Sequence, residues 1–361
     1  MKKIIYCLIT LILSLLISCD DDSKGSSGSS FDRKAMLENY AEQIIISYEE
    51  LVMNTEKLNQ ALNTFAETPN TTNLLSAQSA WKTAYSSWQT CNSFNFGPAE
   101  SAFGTLLDEV GTFPVSSSKI ETYITNGDNT FQNFDRDARG FLTVEYLLFN
   151  LNDNQEVIIN QFQNSPNRKA YLRALGARLS SEIKKVNTSW VTFKTEFVNN
   201  SGTDASSSTS ELYNNMVKSF EAIKNFKIGL PAGKRPGQTK TEPQLVEAYY
   251  SGSSVEVLKL HFQAIENIWK GDIHHAGVGF KEYLSSVEGG NDLIVEIENQ
   301  ISNAKIAINA LPEGRLSNTI ETNLNSVSKV HEELQKLTRY LKSDMSSLLG
   351  ISITYDSGDG D

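Results

Sequence analysis

Glu145 is the charged residue whose setting most demands an explanation. It lies in the stretch GFLTVEYLLF, Gly140 to Phe149. Read as a helix, its neighbours three and four positions away are Phe141, Leu142, Leu148 and Phe149, with Val144 and Leu147 on the far side. A helix apolar on all sides is a buried helix. An unpaired carboxylate there costs on the order of several kcal/mol. Glu145 is therefore expected to be either a hydrogen-bonded anchor or a group that meets a ligand. Asp135, Arg136, Asp137 and Arg139 precede the stretch, but Arg139 falls off the face that Glu145 occupies.

The second polar concentration is GLPAGKRPGQTKTEPQLVEAYYSG, Gly229 to Gly252. Lys234, Arg235, Lys240, Glu242, Glu247 and Tyr250 stand there among Gly and Pro, the composition of a loop between helices. Such a loop is a place for binding groups or simply a solvated connector. The four histidines offer less. His274 and His275 are adjacent in GDIHHAG and read as surface residues, and His331 lies in the polar turn KVHEELQK and reads as inert. His261 follows an apolar run and reads as partly buried among the aromatics of its helix. The sequence has no Gly-rich phosphate loop, no GxSxG elbow, no CxxC pair and no HExxH helix.

Helices must position these groups. Leu37, Ala41, Ile44, Tyr48, Leu51, Thr55, Leu58, Leu62 and Phe65 recur in alternating steps of four and three, one continuous apolar stripe. Pro69 ends that pattern, and Leu74, Ala77, Trp81, Ala84 and Trp88 mark a second helix that stops before Gly97-Pro98. Leu179, Ile183, Val186 and Trp190 repeat the spacing of Val330, Leu334, Leu337 and Leu341. NLLSAQSAWKTAYSSW likewise parallels SVEVLKLHFQAIENIW. These echoes raise the option of an internal duplication. The expected fold class is all-α, two helical-bundle domains over 31–200 and 201–361, with the Ser-rich Asn199–Ser210 as linker or long loop. Ile351 to Tyr355 is the sole strand-like patch.

The formal net charge of -11 argues against a nucleic-acid partner. At the N-terminus, Lys2 and Lys3 precede an apolar run that ends in LISC at Cys19. This resembles a bacterial lipoprotein signal: residues 1–18 would be cleaved, Cys19 lipidated, and residues 19–30 left as a flexible tether. The acidic triplet after Cys19 resembles an export tag. The expected place is the outer membrane, at the cell surface or else on its periplasmic face. With Cys7 and Cys19 assigned to the signal and the anchor, Cys91 is left without a disulfide partner and reads as a small buried residue.

AWKTAYSSW with FNFGP, then GFLTVEYLL, GLPAGKRP, VEAYYSGSS, GVGFKEYL and the tail LGISITYDSGDGD together resemble the imelysin family over nearly the whole chain after Phe31. The resemblance implies two related helical bundles with a site between them. It also implies a link to iron or metal uptake and a classification as metallopeptidase through a GxHxxE motif. Onto this chain the motif carries Gly140 and Glu145, but its histidine position is Leu142. Leucine neither ligates a metal nor moves a proton, and a catalytic zinc needs three protein ligands. The expected function is therefore a non-catalytic binding protein for an iron or other divalent metal complex or an acidic glycan. Gly140, Glu145, Lys234, Arg235, Tyr250, Trp81 and Trp88 would form its site, and Glu145 is the candidate metal contact. A metallopeptidase with a remodelled site around Asp135, Asp137, Glu242 or His274, and a structural lipoprotein with a vestigial motif, are the alternatives.

Overall fold

The computed structural model describes residues 31–101, 104–152 and 154–355. The signal, Cys19 and the tether lie outside these residues. The chain begins with α1 (Arg33–Glu67), capped by the Asp32 carboxylate, which accepts from the Ala35 N–H. α2 (Thr71–Cys91) returns beside it after Asn70 caps its start. All nine residues of the first apolar stripe and all five of the second are buried, so the sequence period and the packing face coincide.

Shorter elements follow: a two-residue antiparallel pair, β1 (Glu100–Ser101) with β2 (Gly104–Thr105), then α3 (Leu106–Val110), α4 (Ser117–Asn126), α5 (Phe141–Leu148) and α6 (Gln155–Asn164). α7 (Pro166–Asn199) then runs the length of α1. Ser165 caps it and Pro166 takes its first position, where a missing N–H costs nothing. α5 is held between α2 and α7.

The remaining helices are α8 (Ser208–Ala222), α9 (Ser254–Lys270), α10 (Phe280–Ser285), α11 (Gly290–Asn309), α12 (Leu316–Thr322), α13 (Leu324–Arg339) and α14 (Met345–Leu349). Two π-helical turns interrupt them. Ile223–Gly229 continues α8, and Tyr340–Asp344 joins α13 to α14. The Ser-rich stretch, expected as a linker or a long loop, connects α7 to α8. Asp204 organises it by accepting from the Ser206 N–H and hydroxyl, and Ser208–Ser210 already belong to α8 and are buried.

Side-chain hydrogen bonds tie the early helices to the late ones within the compact unit Asp32–Asp361. The buried Gln43 of α1 donates to the Gly271 carbonyl and accepts from the Ile273 and His274 N–H groups. Tyr40, also on α1, donates to the Ile268 carbonyl and accepts from the Phe280 N–H. Each satisfies backbone groups left over at the end of α9 or the start of α10. The strand-like patch Ile351–Tyr355 pairs with no strand. The Asn214 side chain serves it instead, donating to the Ser352 carbonyl and accepting from the Thr354 N–H. Cys91 is buried and reduced. Among the described residues no helix is long and apolar enough to cross a membrane.

Candidate functional site

α5 exists where it does because Gly140 precedes it. Gly140 has φ +83° and ψ -169°, a conformation that side chains disfavour, and a Cβ there would fall 2.6 Å from the Val110 carbonyl oxygen. The glycine lets the helix start against the backbone of α3. Aromatic residues of α2 then fix the helix. Trp81 donates its indole N–H to the Phe141 carbonyl at 2.8 Å, and Tyr85 and Trp88 lie against the Phe141 ring. Trp81 and Trp88 are themselves almost fully buried.

Glu145 is 1 % exposed. Its Oε1 accepts from the Ser251 backbone N–H at 2.7 Å. Burial pushes its carboxyl up to about 7, the Ser251 hydrogen bonds lower it, Glu247 raises it further and Arg315 lowers it. Arg315 also donates to the Tyr249 and Tyr250 carbonyls, which holds the Ser251 segment in place. Tyr250 is half-buried, and its ring meets Tyr146 edge-on at 5.0 Å. Gly140, Trp81, Glu145 and Tyr250 thus form one neighbourhood.

Glu247 begins a second one. It is 3 % exposed, accepts from the Tyr85 hydroxyl at 2.5 Å, and its Oε2 lies 2.6 Å from Lys227 Nζ, an ionic contact outside hydrogen-bond angles. Lys227 comes from the first π-helical turn and donates to Gln89 Oε1 at 2.7 Å. Burial holds the Lys227 ammonium below its ordinary value, and Glu247 offsets only part of that. Burial also holds the Tyr85 phenol well above its ordinary value. Next to this pair, His261 Nε2 meets the Ser219 hydroxyl at 2.7 Å, and Ser219 in turn contacts Ser93 and Asn92. His261 is 2 % exposed, burial drives it well below the ordinary imidazole value, and its Nδ1 has no hydrogen-bond partner. It therefore stays neutral.

Glu247, Lys227, His261, Ser219 and Trp88 line a cleft of about 490 Å³. Its walls come from both sides of position 200, with Asn92, Asp108 and Phe113 facing Asn215, Glu221, Phe226 and Arg235. Glu145 is not part of the lining. Lys234 lines a separate cleft together with Arg235, which borders both. The seven expected site residues therefore divide among three places.

The groups considered for a remodelled metal centre are engaged elsewhere. Asp135 and Asp137 pair with Lys119, Glu242 accepts from Gln238, and His274 meets Ser47 at 2.8 Å. Arg139 pairs with Glu109. Among the described residues no group of three His, Cys, Asp or Glu side chains is placed to hold a metal ion. Two histidines differ from expectation. His261 is wholly buried in a polar network because Ser219 of α8 faces it, and His331 is half-buried against Gly229 because α13 packs on the first π-helical turn. The Tyr85–Glu247–Lys227–Gln89 cluster escaped the sequence reading. Its members lie up to 162 positions apart, and the signal that could have found them was the polar side of α2 at Tyr85 and Gln89.

Comparison with known proteins agrees with this architecture. The family model described as Imelysin matches residues 44–344. The chain belongs to the imelysin family. Iron-regulated protein A of Synechococcus elongatus is 24% identical over 309 residues, covering 80% of this chain and 78% of that protein. The crystal structure of an iron-regulated protein A precursor from Parabacteroides distasonis superposes with a TM-score of 0.74 at 17% identity, over 90% of this chain and 97% of the other. An imelysin-like protein from a Psychrobacter species gives 0.73 at 15% identity, over 91% and 98%. Leu142, expected from the resemblance at the motif's histidine position, is buried at 3 % exposure.

Proposed function

We propose that this imelysin-family chain is a non-catalytic binding protein of the cell envelope, tethered through a lipid on Cys19, whose ligand occupies the cleft beside Lys227, Glu247 and His261. The observation that carries the reading is the cleft itself. It has room for a small ligand, and Trp88, Phe113, Phe226 and Tyr355 are among its lining. It also presents a few fixed polar groups, among them a buried ion pair and a neutral imidazole with an unpartnered nitrogen. The similarity to iron-regulated protein A of Synechococcus elongatus supports an iron or other metal complex as ligand. The Lys227, Lys218 and Arg235 side of the wall also suits an acidic glycan. Glu145 serves this site indirectly, by fixing the segment that carries Glu247. Display on the outer membrane, at the cell surface, follows from the N-terminal signal and the acidic triplet.

The test is thermal unfolding of the protein from Phe31 onward with ferric citrate and with oligogalacturonate. One of the two should raise the midpoint in a saturable way, and Thr112→Trp, which fills the cleft, should abolish the shift. No shift with either probe, or a shift unchanged in the filled variant, would overturn the assignment.

A further inference from the structure

The ligand cleft proposed above has one wall whose protons can be counted. Ser219 of α8 meets three side chains there. Its hydroxyl donates to Asn92 Oδ1 at 3.0 Å and accepts from the Ser93 hydroxyl at 2.8 Å. A serine carries a single hydroxyl proton, so with that proton given to Asn92 the oxygen can only accept from His261. His261 Nε2, 2.7 Å away, is therefore the N–H of the ring, a tautomer assigned by the hydrogen-bond network around it.

Neutrality fixes the other nitrogen. His261 is 2 % exposed, and burial together with the Lys227 ammonium holds it well below the ordinary imidazole value. A neutral ring has one N–H, and Nε2 has it. Nδ1 keeps a bare lone pair, and among the described residues no group donates to it. Buried polar atoms are seldom left in that condition.

Glu247 repeats the pattern. Its Oε1 accepts from the Tyr85 hydroxyl, while Oε2 has Lys227 Nζ 2.6 Å away without a hydrogen bond to it. Lys227 donates to Gln89 Oε1 instead. Glu247 and His261 both line the cleft of about 490 Å³. The second, basic cleft, of about 380 Å³, is lined by Lys234, Arg339 and Lys342 among others and includes neither residue.

Two unmatched acceptors select a ligand by sign. A carboxylate or phosphate oxygen would set lone pair against lone pair. A cationic amine or a bare metal ion would meet the Lys227 ammonium beside Oε2, and among the described residues no third ligand is placed to complete a metal site. An uncharged donor suits both acceptors and tolerates the ammonium.

We propose that His261 Nδ1 is a ligand-binding atom of this cleft, accepting a hydrogen bond from an uncharged hydroxyl or amide N–H of the ligand. This assignment, which rests on the ligand cleft proposed above, narrows its occupant. A polyhydroxylated compound fits, and an iron complex fits only where its organic shell carries a free donor. Ser219, Asn92 and Ser93 are positioning residues, which engage Nε2 and so keep the lone pair on Nδ1.

Nitrogen NMR of the histidine rings tests it, on the protein from Phe31 onward. His261 is assigned from the signals lost in His261→Gln. Near pH 7 and without ligand, Nδ1 should resonate as an unprotonated nitrogen and Nε2 as a protonated one. Oligogalacturonate should then bind and move the Nδ1 signal upfield. The same oligomer with every hydroxyl methylated should bind at least about tenfold more weakly, the scale of one hydrogen bond. His261→Gln, whose amide can still donate to Ser219, should weaken the free oligomer by about tenfold and leave the methylated one unchanged. A protonated Nδ1, a Nδ1 signal unmoved on binding, equal affinity for the two oligomers or in His261→Gln, or binding of ferric citrate alone would overturn the assignment while the cleft reading stands. Binding of neither oligogalacturonate nor ferric citrate would remove the cleft reading and this assignment with it.

Discussion

The interior around Glu145 and Glu247 and the basic cleft around Lys342 handle charge in opposite ways. Inside, each carboxylate has its own solution. Glu145 accepts from the Ser251 backbone N–H, and burial raises its proton affinity until it is half-neutral near pH 7. Glu247 has a phenol and an ammonium, both buried with it. In the basic cleft Lys224 and Lys342 both stand near Glu221, while Lys234 and Arg339 are exposed. The interior is arranged so that folding is compatible with charge. The cleft instead gathers basic side chains from several elements at an open surface. Substitutions at the two places should therefore differ in size and in what they disturb.

The largest effect is expected at the buried ion pair. Lys227→Met removes the ammonium and leaves Glu247 with Tyr85 alone, a charge 3 % exposed with half its compensation gone. The cost should be about 3–5 kcal/mol in urea unfolding at neutral pH. The double variant Lys227→Met/Glu247→Leu should recover much of it, because a missing pair is cheaper than a broken one. If Lys227→Met alone were neutral, the interior would be wetter than its burial indicates, and the contrast with the basic cleft would collapse.

Gly140→Ala should come next, at about 3 kcal/mol. The residue must hold a backbone conformation almost reserved for glycine, and its Cβ would overlap the Val110 carbonyl. The same substitution at Gly237, which also has a positive φ but open space around it, should cost less. The difference between the two, read from thermal or urea midpoints, isolates the contact with α3 from backbone strain.

These two cases mark how far the sequence could be read. The apolar stripes of α1 and α2, and the spacing Leu179–Trp190 and Val330–Leu341, all mark buried faces, because helical period and burial are local consequences of residue order. Glu145 was legible as a buried group for the same reason. Its partner was not, because a backbone N–H is present at every position and Ser251 lies 106 residues away. The Lys227–Glu247 pair was hidden more deeply. Both residues look like ordinary loop charges in sequence, and only the π-helical turn and the packing of α2 on α9 bring them to Tyr85 and Gln89. Lys234 and Arg235 were recognised as candidates, but the sequence gives no sign that His331, Arg339 and Lys342 join them.

The pH dependence of stability sharpens the contrast between the two interior carboxylates. Glu145 titrates near 7 when folded, against an ordinary value of 4.5. The folded state therefore holds this proton more tightly than the unfolded chain does. The stability it contributes is complete below about pH 4.5 and is lost as pH rises through 7. The shift corresponds to about 3 kcal/mol. Measured against Glu145→Gln, the wild type should lose about that much between pH 4.5 and pH 8, since Gln cannot titrate yet can still accept from Ser251. Glu145→Leu also removes the titration but strands the Ser251 N–H, so it should be less stable than Glu145→Gln by about 1–3 kcal/mol at every pH. Parallel pH profiles for wild type and Glu145→Gln would mean that water or a cation reaches the carboxylate.

The smallest effect on stability is expected at the exposed cations of the basic cleft. Lys234 and Arg339 are exposed, and removing them in Lys234→Ala/Arg339→Ala should change the unfolding free energy by no more than about 0.5 kcal/mol. The sign carries the information. If the cleft holds more positive charge than the fold requires, deleting two cations relieves repulsion, and the variant should be equal to or slightly more stable than wild type at low ionic strength. Added salt screens the same repulsion and should shrink the difference toward zero. A variant that is clearly less stable at low salt would show the opposite, that these side chains belong to the fold's own ion pairs, as Lys227 does, and that the two regions share one way of managing charge.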